Sequence, residues 1–257
     1  MPPPFRNPHW NVFSAIPHVA AGAVGNAPAT WAANYGLVGV PAGAAPLPAH
    51  PINRATVRAI CRNPANPVLF GYVCAMAWGG QGTLPGTGRY VASAWAANAM
   101  IAKHLAALHA GQLTRCQAYN LFLGTGAVAG LGPAFFTKLL YFFSPTPNCY
   151  IMDQWTSKSV NLLTGNWVVR LTPGGAVHTQ NLCGNYQAYC EELDAMAALI
   201  GGVTGEQVEE MLMSQGRPAL WPWRTYMRQN WPMHLPVGRY SRTTMRAIYP
   251  RFPRGCF

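Results

Sequence analysis

Two glycines and a proline near the middle of the chain constrain its local geometry more than any other short segment does. Gly130, Leu131, Gly132 and Pro133 lie between two apolar segments and predict a tight turn. Glycine permits backbone angles that a side chain would block, and proline suits the first position of a helix, where an N–H group has no partner. We therefore expect a helix to begin at Pro133, after a turn whose outward-facing amides can hold a phosphate oxygen.

The acidic residues are scarce and unevenly distributed. The chain has 7 Asp and Glu, and the first of them in the sequence is Asp153, flanked by Met152 and Trp155. An aspartate at this place predicts the cap of a helix beginning at Gln154, which contributes about 1 kcal/mol. Capping does not exclude a catalytic role, so both roles stay open for Asp153.

The formal charge of +11, from 18 basic and 7 acidic residues, favours a polyanion as partner. A basic chain is also compatible with a membrane surface or with plain solubility. No run of 18 apolar residues occurs, and the first ten residues lack an export signal. We expect a cytoplasmic monomer without a membrane partner.

The seven cysteines form an odd set without a C-x-x-C pair, so we expect free thiols in a reducing compartment. They are Cys61, Cys74, Cys116, Cys149, Cys183, Cys190 and Cys256.

Residues 1–52 are interrupted by prolines and are expected to form an irregular arm, in which His9, Trp10 and Trp31 are packing anchors. Residues 53–257 are expected to form one mainly helical domain. The expected helices cover 54–62, 68–78, 88–110, 114–122, 133–143, 154 onward, 185–200 and 205–213, and a short β-hairpin is expected within 167–179.

The run GLGPAFFTKLL, with Asp153 located 21 residues beyond Gly132, resembles the signature of the helix-hairpin-helix (HhH-GPD) DNA glycosylases. The run CYIMDQWTSKSVNLL resembles a bacterial branch with the 8-oxoguanine DNA glycosylase (OGG) fold. The resemblance implies two helical lobes with a cleft, a hairpin lobe at about 112–180 and a second lobe from 53–111 and 181–257. It also implies that the hairpin grips double-stranded DNA, that a base is flipped, and that Asp153 drives cleavage of its bond to the sugar.

Bifunctional relatives carry a nucleophilic lysine two places after the second hairpin glycine, where this chain has Ala134. This departure favours a monofunctional enzyme that uses water. Lys138, one turn further along, corresponds to a position that lines the base pocket. A displaced nucleophile and a plain surface lysine stay open as alternatives for Lys138.

The resemblance assigns the remaining site residues by position. The expected DNA contacts are Gly130, Leu131, Gly132, Ala134, Gln154, Lys158, Trp78 and Gln81. The expected base pocket is Lys138, Phe142, Glu209 and Met213. Trp78 is equally compatible with a wedge in the duplex and with burial in the core. A solvated Glu209 is the alternative to a pocket residue. Trp155 is a further candidate for backbone contact or the pocket wall, with a structural role as the alternative.

The segment from 211 to 257 contains eight arginines interleaved with aromatic residues, and it either contacts DNA or wraps the core. The arginines are Arg217, Arg224, Arg228, Arg239, Arg242, Arg246, Arg251 and Arg254.

We expect no cofactor and no metal. Relatives that hold an iron–sulfur cluster carry four closely spaced cysteines after the hairpin domain, and that spacing is absent. The substrate is expected to be an oxidised base such as 8-oxoguanine, or a modified base of phage DNA, which would make the role anti-phage defence. The alternatives are a non-catalytic helix-hairpin-helix DNA-binding protein and a bifunctional glycosylase/lyase that uses Lys138.

Overall fold

A computed structural model describes residues 8–16, 25–145, 148–213 and 222–231, which are mainly helical. The helices are α1 (Pro8–Ser14), α2 (Pro28–Asn34), α3 (Arg54–Arg62), α4 (Val68–Trp78), α5 (Gly88–Ala96), α6 (Asn98–His109), α7 (Arg115–Asn120), α8 (Pro133–Phe143), α9 (Gln154–Thr164), α10 (Cys183–Ile200), α11 (Gly205–Met213) and α12 (Pro222–Asn230), with a 3₁₀ turn at Gly124–Gly126. The expected mainly helical class is confirmed. Those ranges contain no β-strand, and the expected hairpin is reduced to one antiparallel bridge between Leu171 and Val177.

Local signals in the sequence set several helix starts as predicted. The Asn53 side chain accepts a hydrogen bond from the Thr56 N–H at the start of α3. Thr114 and Gln117 form a reciprocal capping box at the start of α7. Pro133 occupies the first turn of α8, directly after the glycine turn. Each of these residues satisfies or removes an N–H group that would otherwise lack a partner.

The single long helix expected over 88–110 is wrong, because α5 and α6 are separate helices that meet at Ala97. The Ala97 N–H bonds to the carbonyl of Ala94, three residues back, at 3.1 Å. This tighter turn interrupts the α-helical pattern. Met100, in the first turn of α6, is 38% exposed. A run of alanines has too little contrast between faces to reveal such a break.

The expectation of an irregular arm is wrong where α1 and α2 lie. Pro8 and Pro28 stand in the first turns of these helices, where proline is tolerated. Phe13 and Trp31 are buried in the core, which confirms Trp31 as a packing anchor. Residues 1–7 and 17–24 of the arm lie outside the described residues. The boundary at residue 52 stays a prediction.

The expectation that every cysteine is a free thiol is wrong for two of them. Cys116 of α7 and Cys183 of α10 form a disulfide, with Cα atoms 4.9 Å apart. The two helices pack together, which brings residues 67 positions apart into bonding distance. The four free cysteines in the described ranges are buried, and Cys256 lies outside those ranges.

The buried hydrophobic side chains form one continuous cluster, from Phe13 to Met227. Helix α8 packs against α3, α4, α6 and α7, so it lies at the centre of this cluster. The division into two lobes with a cleft stays a prediction. Across the described ranges, no helix combines the length and the apolar character that crossing a membrane requires.

Candidate active site

The carboxylate of Asp153 is fixed at the start of α9. Its Oδ1 accepts hydrogen bonds from the backbone N–H groups of Trp155, at 2.7 Å, and of Thr156, at 3.0 Å. The Asp153 N–H in turn donates to the Thr156 hydroxyl at 3.1 Å. Asp153 is only 7% exposed. The predicted cap is therefore present, and it holds a negative charge in one orientation in a largely water-free place.

The segment that carries Asp153 packs directly against the helix that follows the glycine turn. The Met152 N–H donates to Thr137 Oγ1 at 3.1 Å, and this hydroxyl donates to the Pro133 carbonyl at 2.7 Å. Thr137 lies one turn after Pro133 on α8. Asp153 is thus held beside the first turns of α8.

Lys138 is buried near Asp153. It is 4% exposed, and its Nζ donates to the Ala134 carbonyl at 2.6 Å, so the two residues share a face of α8 as expected. Burial lowers the pKa of Lys138, while the charges of Asp153 and Glu209 oppose that shift. The aliphatic part of the side chain lies against Gly79, where an added Cβ would be 2.7 Å from Lys138 Cδ. The surface-lysine alternative is therefore wrong.

Glu209 is fully buried, which makes the expectation of a solvated Glu209 wrong. Its Oε2 accepts a hydrogen bond from Nη2 of Arg54, another buried residue. Burial raises the pKa of Glu209 to about 7, although Arg54 acts in the opposite direction. The other oxygen, Oε1, is buried and makes no hydrogen bond to the described residues. Glu209 thus offers a spare acceptor in the part of the core that also holds Lys138.

Sequence reasoning missed the role of Arg54. Its guanidinium lies 4.0 Å above the ring of Tyr141, and that of Arg58 lies 4.1 Å from the same ring. Arg58 also pairs with Glu206 at 2.8 Å. These contacts connect α3, α8 and α11, and they hold Glu209 in place. The four-residue spacing of Arg54 and Arg58 places both on one face of α3, and this was the only sign in the sequence that they could pair with the acidic residues of α11. Because 155 positions separate Arg54 from Glu209, that pairing could not be read from the sequence.

The two aromatic residues expected at the site are both core residues. Trp78 is 7% exposed and Phe142 is fully buried. Their rings pack edge to face, with centroids 5.2 Å apart. Of the two alternatives for Trp78, the structure supports burial. Met213 is half-buried, and its carbonyl accepts a hydrogen bond from Arg224.

A second group of cations, Lys158 and Arg224, packs on the Trp155 ring and is influenced by the charge of Asp153. Lys158 Nζ lies 4.9 Å from the ring centre of Trp155, and Arg224 Cζ lies 4.3 Å from it. Burial lowers the pKa of Lys158 and of Arg224, and the charge of Asp153 opposes both shifts. Gln154 is half-buried in the first turn of α9. Arg224 belongs to the arginine-rich segment. Residues 214–221 and 232–257 of that segment lie outside the described ranges.

The glycine turn is anchored on one side and open on the other. Gly130 has φ +81°, and an added Cβ would lie 2.2 Å from the Tyr90 carbonyl oxygen. The Gly130 carbonyl accepts a hydrogen bond from Gln81 Nε2 at 3.0 Å, and Gln81 is itself fully buried. Leu131 is buried beneath the turn. At Gly132, by contrast, an added Cβ would meet no atom within 4 Å.

Comparison with known proteins gives one result. Residues 17–213 match the model of a family described as "Putative 8-oxoguanine DNA glycosylase OGG-like protein". No curated protein and no solved structure matched the chain.

Proposed function

Because the chain belongs to the OGG-like family of 8-oxoguanine DNA glycosylase relatives, we propose that it flips a damaged or modified base out of DNA and hydrolyses the bond between that base and its sugar. Asp153 is the proposed catalytic carboxylate. The product is an abasic site in an otherwise intact strand.

One observation carries this proposal. Asp153 is buried and fixed by the first turn of α9, and the neighbouring Met152 is hydrogen-bonded to Thr137 on the helix that follows the glycine turn. A fixed carboxylate and a potential phosphate seat therefore belong to one rigid unit. This arrangement suits an enzyme that holds a strand beside the sugar on which it acts.

The chemistry needs one negative charge. As the glycosidic bond breaks, its electron pair leaves with the base and the sugar develops oxocarbenium character, which a fixed carboxylate stabilises. Water then forms a bond to C1′ of the sugar and loses a proton to Asp153. The departing base takes up a proton from solvent, and Asp153 later returns its proton to solvent. Low exposure of Asp153 strengthens its electrostatic effect on the developing positive charge.

Lys138 and Glu209 supply the polar groups of the proposed base pocket. The ammonium of Lys138 keeps donors free beyond its bond to Ala134, and Glu209 Oε1 is an unused acceptor. Donors and acceptors of this kind recognise the edge of a flipped base. Ala134 replaces the usual nucleophile, which supports water as the group that ends on the sugar carbon.

The DNA backbone is proposed to bind at the glycine turn. The open space at Gly132 leaves room for a phosphate. Pro133 has no N–H group, and the Phe135 and Phe136 N–H groups donate to the Gly132 carbonyl. The N–H groups of Gly132 and Ala134 are therefore the proposed phosphate donors. Gln154 and Lys158 at the start of α9 are proposed to contact the same strand. The excess of positive charge on the chain supports a polyanionic partner.

The test uses duplexes that carry single oxidised or hypermodified bases, including 8-oxoguanine, and compares strand breaks with and without alkali. We expect breaks only after alkali, and only with some bases. Breaks without alkali, together with borohydride trapping that disappears in Lys138→Ala, would show a bifunctional enzyme. Binding to DNA without base release from any duplex would support the non-catalytic alternative.

A further inference from the structure

The loop between α4 and α5, residues 79–87, presents one large apolar side chain to solvent. Leu84 is 68% exposed. Single exposed leucines are common on protein surfaces and carry no meaning by themselves. What distinguishes Leu84 is the set of contacts made by its own loop.

The loop touches both parts of the proposed site. At its start, Gly79 lies against the aliphatic part of Lys138, so closely that an added Cβ would be 2.7 Å from Cδ. Two residues later, the Gln81 side chain donates to the Gly130 carbonyl of the glycine turn at 3.0 Å. Leu84 follows three residues after Gln81. It therefore extends from a loop that links the proposed base pocket to the proposed phosphate seat.

Internal hydrogen bonds define the shape of the loop. The Trp31 indole N–H donates to the Gln81 carbonyl at 2.9 Å. The Thr83 hydroxyl donates to the Gly80 carbonyl at 2.8 Å, and the Thr87 hydroxyl donates to the Leu84 carbonyl at 2.6 Å. The backbone of Leu84 is therefore held in a turn, while its side chain is exposed to solvent.

The surface next to the loop matches a nucleic-acid backbone. Arg89 and Tyr90 open α5 and are both exposed, with the guanidinium 5.0 Å from the ring centre. Gly130 of the glycine turn lies directly against the Tyr90 carbonyl. The loop that carries Leu84 thus leads into a helix start with an exposed cation, and it contacts the proposed phosphate seat through Gln81, where a strand of DNA would pass.

We propose that Leu84 is the wedge that enters the duplex and fills the space vacated by the flipped base. Apolar side chains inserted between base steps unstack DNA in this way. The inference rests on the proposed function. It replaces Trp78 as the wedge, since Trp78 is buried in the core.

The experiment compares Leu84→Ala with the wild type on a duplex that has 2-aminopurine beside the target base. The wild type is expected to raise 2-aminopurine fluorescence on binding, and Leu84→Ala is expected to lose most of that rise. Single-turnover base release from the duplex should slow by about tenfold or more. Release from a single strand with the same base should be unchanged. Leu199→Ala, which truncates another exposed leucine on α10, is the matched control and should behave as the wild type.

The two proposals fail differently. A fluorescence rise in Leu84→Ala equal to that of the wild type would overturn the wedge, as would equal slowing on single-stranded and double-stranded DNA. If no duplex loses a base but the fluorescence rise still depends on Leu84, the glycosylase proposal fails and the wedge stands.

Discussion

Three buried ionisable side chains, those of Asp153, Lys138 and Glu209, act on one another in the interior of the protein. Burial of a charge is costly unless it is paired, and each of these side chains has an identifiable partner. Backbone N–H groups hold Asp153, a carbonyl holds the Lys138 ammonium, and Arg54 holds Glu209. A site that keeps such groups away from bulk solvent is suited to stabilising a cation formed within it.

Glu209 gives the protein a stability that depends on pH. Its pKa in the folded protein is about 7, against an ordinary value of 4.5. The folded protein therefore keeps this proton at pH values where the unfolded chain has lost it. The resulting stabilisation is complete below about pH 4.5, declines as the pH rises through 7, and amounts to about 3 kcal/mol.

We expect the melting temperature of the wild type to fall between pH 5 and pH 8 by more than that of Glu209→Gln, which has no proton to lose. Thermal unfolding followed by circular dichroism across this range measures the difference. Glu191→Gln, which removes an exposed carboxylate, should retain the wild-type slope. Parallel slopes in the wild type and Glu209→Gln would show that this carboxyl group does not titrate near neutral pH.

At the scale of residues, the cap formed by Asp153 was predictable from the sequence. Asp153 is also the only acidic residue among the first 153, which made it a candidate for a functional role. The burial of Glu209 could not be predicted. It depends on Arg54, whose distance along the chain conceals the pairing, and a glutamate on an amphipathic helix is usually solvated.

At the scale of elements, the two hairpin glycines have different tasks. Gly130 has a positive φ and close contact with the Tyr90 carbonyl, whereas Gly132 has φ −74° and open space at its Cβ position. Gly130 is needed for the fold of the turn. Gly132 leaves the outer surface clear for a ligand.

The substitutions Gly130→Ala and Gly132→Ala should therefore separate stability from binding. Gly130→Ala should lose at least about 1–2 kcal/mol of stability through backbone strain. Gly132→Ala should melt as the wild type does but bind duplex DNA about tenfold more weakly, because its methyl group occupies the phosphate seat. Thermal melting and fluorescence anisotropy measure the two effects. Weakened binding without loss of stability in Gly130→Ala would reverse these assignments.

Helices with explicit caps were the predictable elements, because Asn53, Thr114 and Pro133 each supply a local reason for a helix to start. The break at Ala97 was not predictable, since alanine favours helix and gives no sign of a stop. The Cys116–Cys183 disulfide was hidden for another reason, because only the packing of α7 on α10 brings the two residues together.

At the scale of the whole molecule, one continuous core supports the site. Helix α8 lies within this core and begins directly after the glycine turn. It carries Lys138, whose ammonium donates to the Ala134 carbonyl in the first turn of the helix. The overall helical class followed from the sequence because most helices have strong local signals. The packing of α1 and α2 into the core did not, because the density of prolines concealed that two of them begin helices.

The most direct test of the account is base release by Asp153→Asn. Asparagine caps a helix about as well as aspartate, so the variant should fold and bind duplex DNA as the wild type does. We predict that single-turnover release of the preferred base falls by at least about 100-fold. Asp194→Asn, which changes the other aspartate of the chain, should release the base at the wild-type rate. Release by Asp153→Asn within about twofold of the wild type would contradict the catalytic role of this carboxylate.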